Sequence, residues 1–168
     1  MLAYRDGNAG AFETLYSRHR GRLYRFVLRS VKSRAVAEEL FQEAWIRVIE
    51  ARTRYAPQAR FTTWLYTIAH NLLTDHWRKK GLSLVALDGD DVVVSSADPV
   101  RQIEGREALQ RFAAALDGLP AAQREAFLLH EEGGLSIADI AAATGSNEEA
   151  AKSRLRYAMA KLKAAVDE

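Results

Sequence analysis

The chain has 168 residues, of which 48% are hydrophobic and none is cysteine, so it can bury the core of one domain or two small ones but has no disulfide framework or thiol-based site. No apolar run approaches the roughly 18 residues that cross a bilayer, and there is no secretory signal, so we expect a cytoplasmic protein with no membrane insertion. The net charge of +2 includes 15 Lys and Arg against 7 Asp and Glu in residues 1–80, which suggests either a polyanionic partner or a basic surface that only keeps the protein in solution.

Apolar residues recur at spacings of three and four along most of the chain, which predicts an all-α fold. We expect two small helical domains, residues 1–80 and 101–168, joined by a flexible linker over residues 81–100. This linker is rich in Gly, Asp and Ser, although its LVAL and VVV pieces also fit a short strand. The predicted helices are Ala9–Ser17, Gly21–Val31, Arg34–Arg54, Thr62–Lys80, Val100–Asp117, Ala121–Glu131, Ile137–Thr144 and Glu148–Val166.

The long helix before residue 55 is apolar on more than one side. Val36, Leu40 and Ala44 form an ordinary core stripe. Trp45 and Ile46 lie off that stripe, as does Ile49. Such a helix either lies between neighbours or docks a partner, and its pattern leaves both open.

The segment RFTTWLYTIAHNLLTDHWRKK, residues 60–80, separates into two faces on a helical wheel. The core face holds Phe61, Leu65, Ile68 and Leu72. The second stripe holds Thr63, Thr67, Asn71, Thr74 and Arg78, with Trp64 on one side and His70 and Trp77 on the other. Neutral hydrogen-bonding groups between aromatic rings, followed by three cations, suit a single-stranded nucleic acid. The alternative is that the tryptophans belong to the core and the threonines are incidental.

The last segment has the pattern of a helix-turn-helix. Ser136 and Asp139 form an approximate capping box, and Gly145 allows the left-handed turn between the helices. In the second helix the inward stripe is Ala151, Leu155, Ala158 and Leu162, and the outward face is Glu149, Lys152, Ser153, Arg156 and Lys163. Arg, Lys and Ser suit base edges and phosphates, whereas a helical hairpin with a charged face is the alternative. The carboxylates of Glu148 and Glu149 would repel DNA phosphates.

No catalytic constellation is visible, so we expect neither an enzyme nor a cofactor. The histidines lack metal-ligand spacing, because even the nearest pair, His70 and His76, is separated by six residues and lies far apart around a helix.

Together these segments resemble an extracytoplasmic-function (ECF) sigma factor of bacterial RNA polymerase. The resemblance rests on AFETLYSRHRGRLYRFV, AEELFQEAWIRV, FTTWLYTIAHNLLTDHWRK, LPAAQREAFLLHEEGGLSIADIAAATG and KSRLRYAMAKLK, which follow in the family's order. It implies a factor that binds core RNA polymerase through its β-type subunits, directs promoter-specific initiation and helps to open promoter DNA. An anti-sigma factor is a further partner that it implies.

The resemblance also implies roles for individual residues. The polymerase contact falls on Glu39, Gln42, Glu43, Trp45 and Ile46, which favours docking over burial for Trp45. Recognition of the minus-ten element falls on Phe61, Trp64, Asn71, Asp75, Arg78 and Lys79, together with the loop from Tyr55. Recognition of the minus-thirty-five element falls on Lys152, Ser153 and Arg156.

The chain departs from the family pattern where Glu149, Ala150 and Ala151 replace a Gly-Thr-Val type of sequence before KSR, and Met1 begins close to the first conserved helix. Two other functions fit parts of the sequence. One is a regulator that binds duplex DNA alone through its helix-turn-helix, and the other is a protein-interaction module whose basic face only aids solubility.

Overall fold

A computed structural model of the protein describes residues 1–81 and 105–167. Within these residues the chain forms eight α-helices and no strand, which confirms the all-α prediction. Apart from Gly81, the predicted linker lies outside the described residues. The helices are α1 (Leu2–Arg5), α2 (Ala9–Val31), α3 (Arg34–Glu50), α4 (Phe61–Lys79), α5 (Gly105–Asp117), α6 (Ala121–Glu131), α7 (Ile137–Thr144) and α8 (Glu148–Asp167), with a 3₁₀ helix at Arg52–Arg54.

The prediction of two helices over residues 9–31 was wrong, because α2 is continuous. Asn8 caps its start by accepting a hydrogen bond from the Ala11 amide at 3.2 Å. A glycine inside a helix costs only about 1 kcal/mol relative to alanine, and Gly21 is exposed, so it obstructs no packing. Leu23 and Phe26 are fully buried on the same helix, and their burial offsets that cost.

Helix α3 ends earlier than predicted, at Glu50 rather than Arg54. A tertiary contact accounts for the difference. Arg52 donates from Nε to the Tyr4 carbonyl oxygen at 2.7 Å, and its guanidinium lies 4.8 Å from the centre of the Tyr4 ring. The chain therefore turns toward α1 in a 3₁₀ helix instead of extending α3.

Helices α2, α3 and α4 bury apolar side chains around a shared core. Phe26 packs edge-on against Tyr66 with their ring centres 5.2 Å apart. The buried side chains of this core come from these three helices: Leu23, Phe26, Val27, Val31, Ala37, Leu40, Ala44, Trp45, Val48, Leu65, Tyr66, Ala69, Leu72 and Leu73.

The second group of helices, α5 to α8, contains the helix-turn-helix. The capping box forms as the sequence predicts, with the Ser136 hydroxyl accepting from the Asp139 amide at 3.1 Å. Gly145 takes the left-handed conformation with φ of 63° and ends α7. The inward stripe of α8 is buried at all four predicted positions: Ala151, Leu155, Ala158 and Leu162.

The two groups pack directly against each other, α4 against α7 and α2 against α6. Gly133, just after α6, is required by the local path of the chain. A Cβ there would lie 2.5 Å from Leu135 Cδ1 and 2.6 Å from the Leu129 carbonyl oxygen, both within the second group of helices. The Tyr66 hydroxyl donates to the Glu132 carbonyl oxygen at 3.0 Å, so the two domains share a buried hydrogen bond as well as an apolar contact.

Candidate protein-docking and nucleic-acid surfaces

One outward face of α3 combines exposed apolar and polar side chains. Ile46 is 47% exposed, and Ile49 one turn further on is similarly open. Glu43 is half-buried and accepts from Arg47 Nε at 3.1 Å. We call this face the α3 surface and define it as Glu39, Gln42, Glu43, Ile46 and Ile49. Exposed isoleucines beside carboxylates and an amide are typical of a protein-docking surface.

Trp45 does not belong to the α3 surface, which corrects the contact expected for it. Its side chain is only 4% exposed. The ring packs edge-on against Phe12 at 5.8 Å and Tyr16 at 5.0 Å. Its indole nitrogen is buried without a hydrogen-bond partner, so Trp45 acts as an apolar core side chain behind Ile46.

The C-terminal half of α4 carries the open polar residues of the predicted stripe. Asn71 is exposed, as are Arg78 and Lys79. Arg78 donates to the Asp75 carboxylate at 2.8 Å in an exposed ion pair. An amide and two cations are therefore accessible in this part of the helix. The two cations lie in its last turn, where the negative end of the helix dipole stabilises positive charge.

The aromatic side chains beside this stripe are only half-buried. Trp64 contacts Tyr55 with ring centres 4.9 Å apart and Phe61 at 5.9 Å. Trp77 lies against His76, and the Lys80 ammonium is 5.8 Å from its ring centre. Both tryptophans therefore seal the edge of the core with one face and keep part of the ring accessible.

Thr63 is covered by the second domain, so the stripe is not one continuous open surface. Thr63 is 3% exposed and donates to the Asp139 carboxylate at 2.9 Å. Thr67 donates to the Thr63 carbonyl oxygen at 2.7 Å. In this packing the hydroxyls have partners within the protein and cannot read a base edge.

A second contact between the domains is a buried histidine–carboxylate pair. His70 Nδ1 lies 2.6 Å from the Glu125 carboxylate, and Thr74 lies 3.5 Å from the other ring nitrogen. Burial lowers the pKa of His70, but the hydrogen bond with Glu125 and the charge of Glu125 together outweigh burial, so the pKa is raised above its ordinary value. The positive charge of Arg154 acts in the same direction as burial.

The third contact joins α2 to the end of α6. Glu132 receives both a bidentate interaction from Arg25, with Nε and Nη2 at 2.9 to 3.1 Å, and a longer one from Arg29 at 4.0 Å. The hydrogen bond with Glu132 raises the pKa of Arg25. Burial raises the pKa of Tyr66, whose hydroxyl bonds the Glu132 backbone.

Helix α8 leaves its outward face open. Lys152 and Arg156 are exposed and Ser153 is half-buried. Tyr157 is 53% exposed, and the Arg156 guanidinium lies 5.1 Å from its ring centre. Sequence reasoning missed Tyr157, although an aromatic side chain next to the outward stripe was a visible signal.

Sequence reasoning also missed the contacts between the domains. The signal was Glu125, which lies three residues after Ala122 and four before Leu129, and both of these are buried. A carboxylate on an apolar helical stripe needs a partner. The partner is on the other domain, which no local pattern reveals.

Two other features, metal sites and membrane-spanning helices, can be checked in the described residues. Within residues 1–81 and 105–167, no three His, Asp or Glu side chains converge as metal ligands would. Among the helices of this part of the chain, none has the length and apolar content of a bilayer span.

Comparison with known proteins decides the family. The model for Sigma-70 region 2 matches residues 15–82, and the model for Sigma-70 region 4 matches residues 109–162. The RNA polymerase sigma factor CarQ of Myxococcus xanthus is 36% identical over 165 residues, which is 97% of this chain and 93% of CarQ. The chain belongs to the ECF sigma factors. The ECF RNA polymerase sigma factor SigM of Mycobacterium tuberculosis is 31% identical, over 96% of this chain and 80% of SigM.

This ECF sigma factor also resembles a solved structure across both domains. The sigma factor RpoE, in complex with the anti-sigma factor NepR from Bartonella quintana, has a TM-score of 0.73 and is 26% identical. The match covers 94% of this chain and 97% of that one. As a sigma factor the protein directs promoter-specific transcription by RNA polymerase, and sigma factors are DNA-binding regulatory proteins rather than catalytic enzymes in general.

We expect the packing between the two domains of the sigma factor to weaken as the pH rises. The raised pKa of His70 means that its charged pair with Glu125 contributes fully below the ordinary value of about 6.5 and is lost as the pH rises through the raised value. The pKa of Asp139 is lowered, so its carboxylate stays charged and its hydrogen bond with Thr63 does not change while His70 titrates. Since the chain has no cysteine, dyes on cysteines introduced at exposed Ala35 and Ala142 will report domain separation by energy transfer.

The matched control for this experiment is Glu125→Gln. Without the carboxylate, burial and Arg154 leave the pKa of His70 lowered, so the packing of the domains in this variant should weaken as the pH falls, opposite to the wild-type trend. A wild-type profile with the same shape as the Glu125→Gln profile would rule out this pair as the source of the pH dependence.

Proposed function

We propose that this sigma factor recognises the minus-ten element with α4 and the minus-thirty-five element with α8, and that α4 holds unpaired bases while the promoter opens. The observation that carries the proposal is the exposure of Asn71 and Arg78 on one helix and of Lys152 and Arg156 on another. Two separate surfaces with amide or cationic groups suit two separate promoter elements.

The minus-ten part of the proposal depends on the chemistry of unpaired bases. Asn71 can bond a base edge, and the half-buried rings of Phe61 and Trp64 provide faces on the same helix. Stacking on an aromatic side chain is worth about 1 to 3 kcal/mol per base, which offsets the few kcal/mol needed to unstack a base. Arg78 and Lys79 are placed to neutralise phosphates, and Asp75 orients Arg78 through their ion pair.

The minus-thirty-five part depends on the middle of α8. Lys152, Ser153 and Arg156 lie on its outward face, while Glu148 and Glu149 occupy its exposed first turn. Carboxylates at this end of the helix are stabilised by the positive end of the helix dipole, but they repel DNA phosphates. The residues after the first turn are therefore the ones that we propose to enter the major groove.

For polymerase binding we propose the α3 surface. Glu39, Gln42, Glu43 and Ile46 match the positions that the family resemblance implies, and Ile49 extends the apolar patch. Trp45 supports the surface from inside the domain. We also propose an anti-sigma factor as a regulatory partner, because the similar sigma factor RpoE forms a complex with one.

We expect Asn71→Ala to reduce promoter opening by about 5- to 150-fold, because a base-edge contact is worth about 1 to 3 kcal/mol. Open-complex yield is measured with core polymerase and a duplex promoter. The matched control is Gln110→Ala, which removes an exposed side-chain amide from α5. A template opened beforehand around the minus-ten element should restore part of the activity of the Asn71→Ala variant.

The whole proposal is tested by transcription from a promoter library with core polymerase, which returns both elements. Equal opening by Asn71→Ala and wild type on duplex DNA would contradict the role of α4. Tight, specific duplex binding by the chain without polymerase would instead support an independent regulator.

A further inference from the structure

Two arginines of α2 converge on a single carboxylate of the other domain. Arg25 and Arg29 are one helical turn apart, so their side chains lie on the same face. Both reach Glu132, Arg25 at 2.9 Å and Arg29 at 4.0 Å. The Glu132 side chain is only 10% exposed, whereas each arginine is about half exposed. The arginine pair is therefore an accessible feature of the first domain that the second domain fills with one anionic group.

The geometry around Glu132 is also the geometry of a phosphate site. A guanidinium binds carboxylate and phosphate oxygens through the same parallel hydrogen bonds. Arg25 uses Nε and Nη2 toward the Glu132 carboxylate oxygens. If the domains separate, the Arg25 guanidinium loses the Glu132 carboxylate and can bind a phosphate in its place.

The surroundings of the pair favour DNA over a protein as the second occupant. Helix α2 carries five arginines, Arg18, Arg20, Arg22, Arg25 and Arg29, against the single acidic residue Glu13. No large apolar side chain is among the exposed residues of α2, in contrast to Ile46 and Ile49 on α3. A protein-docking surface normally has an apolar centre, whereas a row of arginines without one is typical of phosphate-backbone contacts.

We propose that Arg25 and Arg29 form a binding site for DNA backbone phosphate and that Glu132 occupies this site when the two domains pack together. The site is separate from the α4 and α8 surfaces and adds backbone affinity without sequence preference. It rests on the proposed function only in taking DNA as the ligand. DNA bound here and the packed arrangement of the domains exclude each other, so DNA shifts the chain toward separated domains by its preference for the free arginines.

Two substitutions on either side of the contact separate this proposal from a purely structural ion pair. Glu132→Gln should raise the affinity of the full chain for a short duplex of arbitrary sequence several-fold, because the arginines lose their internal anion. Arg25→Gln with Arg29→Gln should lower that affinity and reduce the slope of log affinity against log salt by about 0.9 for each phosphate that the variant no longer neutralises. Fluorescence anisotropy at a series of salt concentrations measures both quantities.

The matched control is Arg34→Gln, which removes one positive charge from an exposed pair with Glu38 on α3. It is compared with Arg25→Gln alone, which also removes one positive charge, and it should change affinity and slope less than that single variant does. Thermal unfolding of each variant checks that the fold is retained. If the arginines only hold the domains together, Glu132→Gln and the arginine variants will change DNA affinity in the same direction, and the proposal is overturned.

Loss of core-polymerase affinity in the arginine variants, with unchanged DNA binding, would equally overturn the proposal by assigning the surface to a protein. An arbitrary duplex contains no promoter, so failure here leaves the test of promoter reading untouched. Conversely, a failure of promoter recognition by wild type does not alter the salt slope that this experiment measures.

Discussion

Replacing Trp45 by alanine is expected to lower the free energy of unfolding by about 3 to 5 kcal/mol, the usual cost of removing a large buried aromatic side chain. The ring is 4% exposed and contacts Phe12, Tyr16 and Phe41 edge-on. Its removal leaves a cavity among three aromatic rings that cannot close without moving helices. In a domain of this size the melting temperature should fall by roughly 10 °C or more, which thermal unfolding followed by circular dichroism measures.

The control for this experiment is Trp45→Phe, which keeps an aromatic ring in the cluster and should cost much less stability. The indole nitrogen has no hydrogen-bond partner, so the loss of that group adds no further penalty. An unchanged melting temperature together with weaker polymerase binding would return Trp45 to the docking surface and remove it from the core.

Ile46→Asp is expected to weaken binding to core polymerase by at least about 10-fold, which corresponds to about 1.4 kcal/mol. An apolar side chain at the centre of a docking surface contributes most when it is fully desolvated in the complex, and a carboxylate there would be buried without a partner. Competition for core polymerase against a labelled sigma factor measures the affinity. Stability should change little, because Ile46 is largely solvent-exposed before binding.

Leu2→Asp is the matched control, since Leu2 is 45% exposed on α1 and Ile46 is 47% exposed on α3. The same change of an exposed aliphatic side chain to a carboxylate should leave polymerase affinity within about twofold if only the α3 surface docks. Equal losses from both variants would show a general effect of added negative charge and would contradict the assignment of Ile46.

Trp45 and Ile46 show how neighbouring residues can take opposite roles. On a helix, consecutive residues point about 100° apart, so one side chain enters the aromatic cluster while the next faces solvent. Both lie off the stripe of Val36, Leu40 and Ala44, and periodicity alone left burial and docking open for each. The position of α2, which brings Phe12 and Tyr16 over one side of α3, decides between them.

When the domains are packed together, part of the polar stripe of α4 is covered and part of it is exposed. Thr63 is held by Asp139 and His70 by Glu125, whereas Asn71 is exposed. Reading of DNA by the whole stripe therefore requires α7 to leave α4, while Asn71 is accessible in either arrangement. The pH profile of domain separation and the Glu132→Gln experiment test two of the ion pairs that oppose this separation, His70–Glu125 and Arg25–Glu132.

Local structure was determined by the sequence itself, because its causes lie within a few residues. The capping box of Ser136 and Asp139, the left-handed turn at Gly145 and the buried stripe of α8 were all predicted correctly. Each depends on hydrogen bonds or side-chain spacing within one or two helical turns. The ECF resemblance was carried by the order of such segments, and the comparisons confirm it.

Only the tertiary structure decided which side chains lie between the domains. Thr63 and Asp139 are 76 residues apart, and Arg25 and Glu132 are 107 apart, so no pattern within one segment links them. A helical wheel shows which residues share a face, but it does not show which surface covers that face. The sequence therefore determined most of the helices, the cap of α7 and the family, whereas tertiary contacts set the end of α3, and the packing of α4 on α7 and of α2 on α6 decided which polar groups are open to solvent.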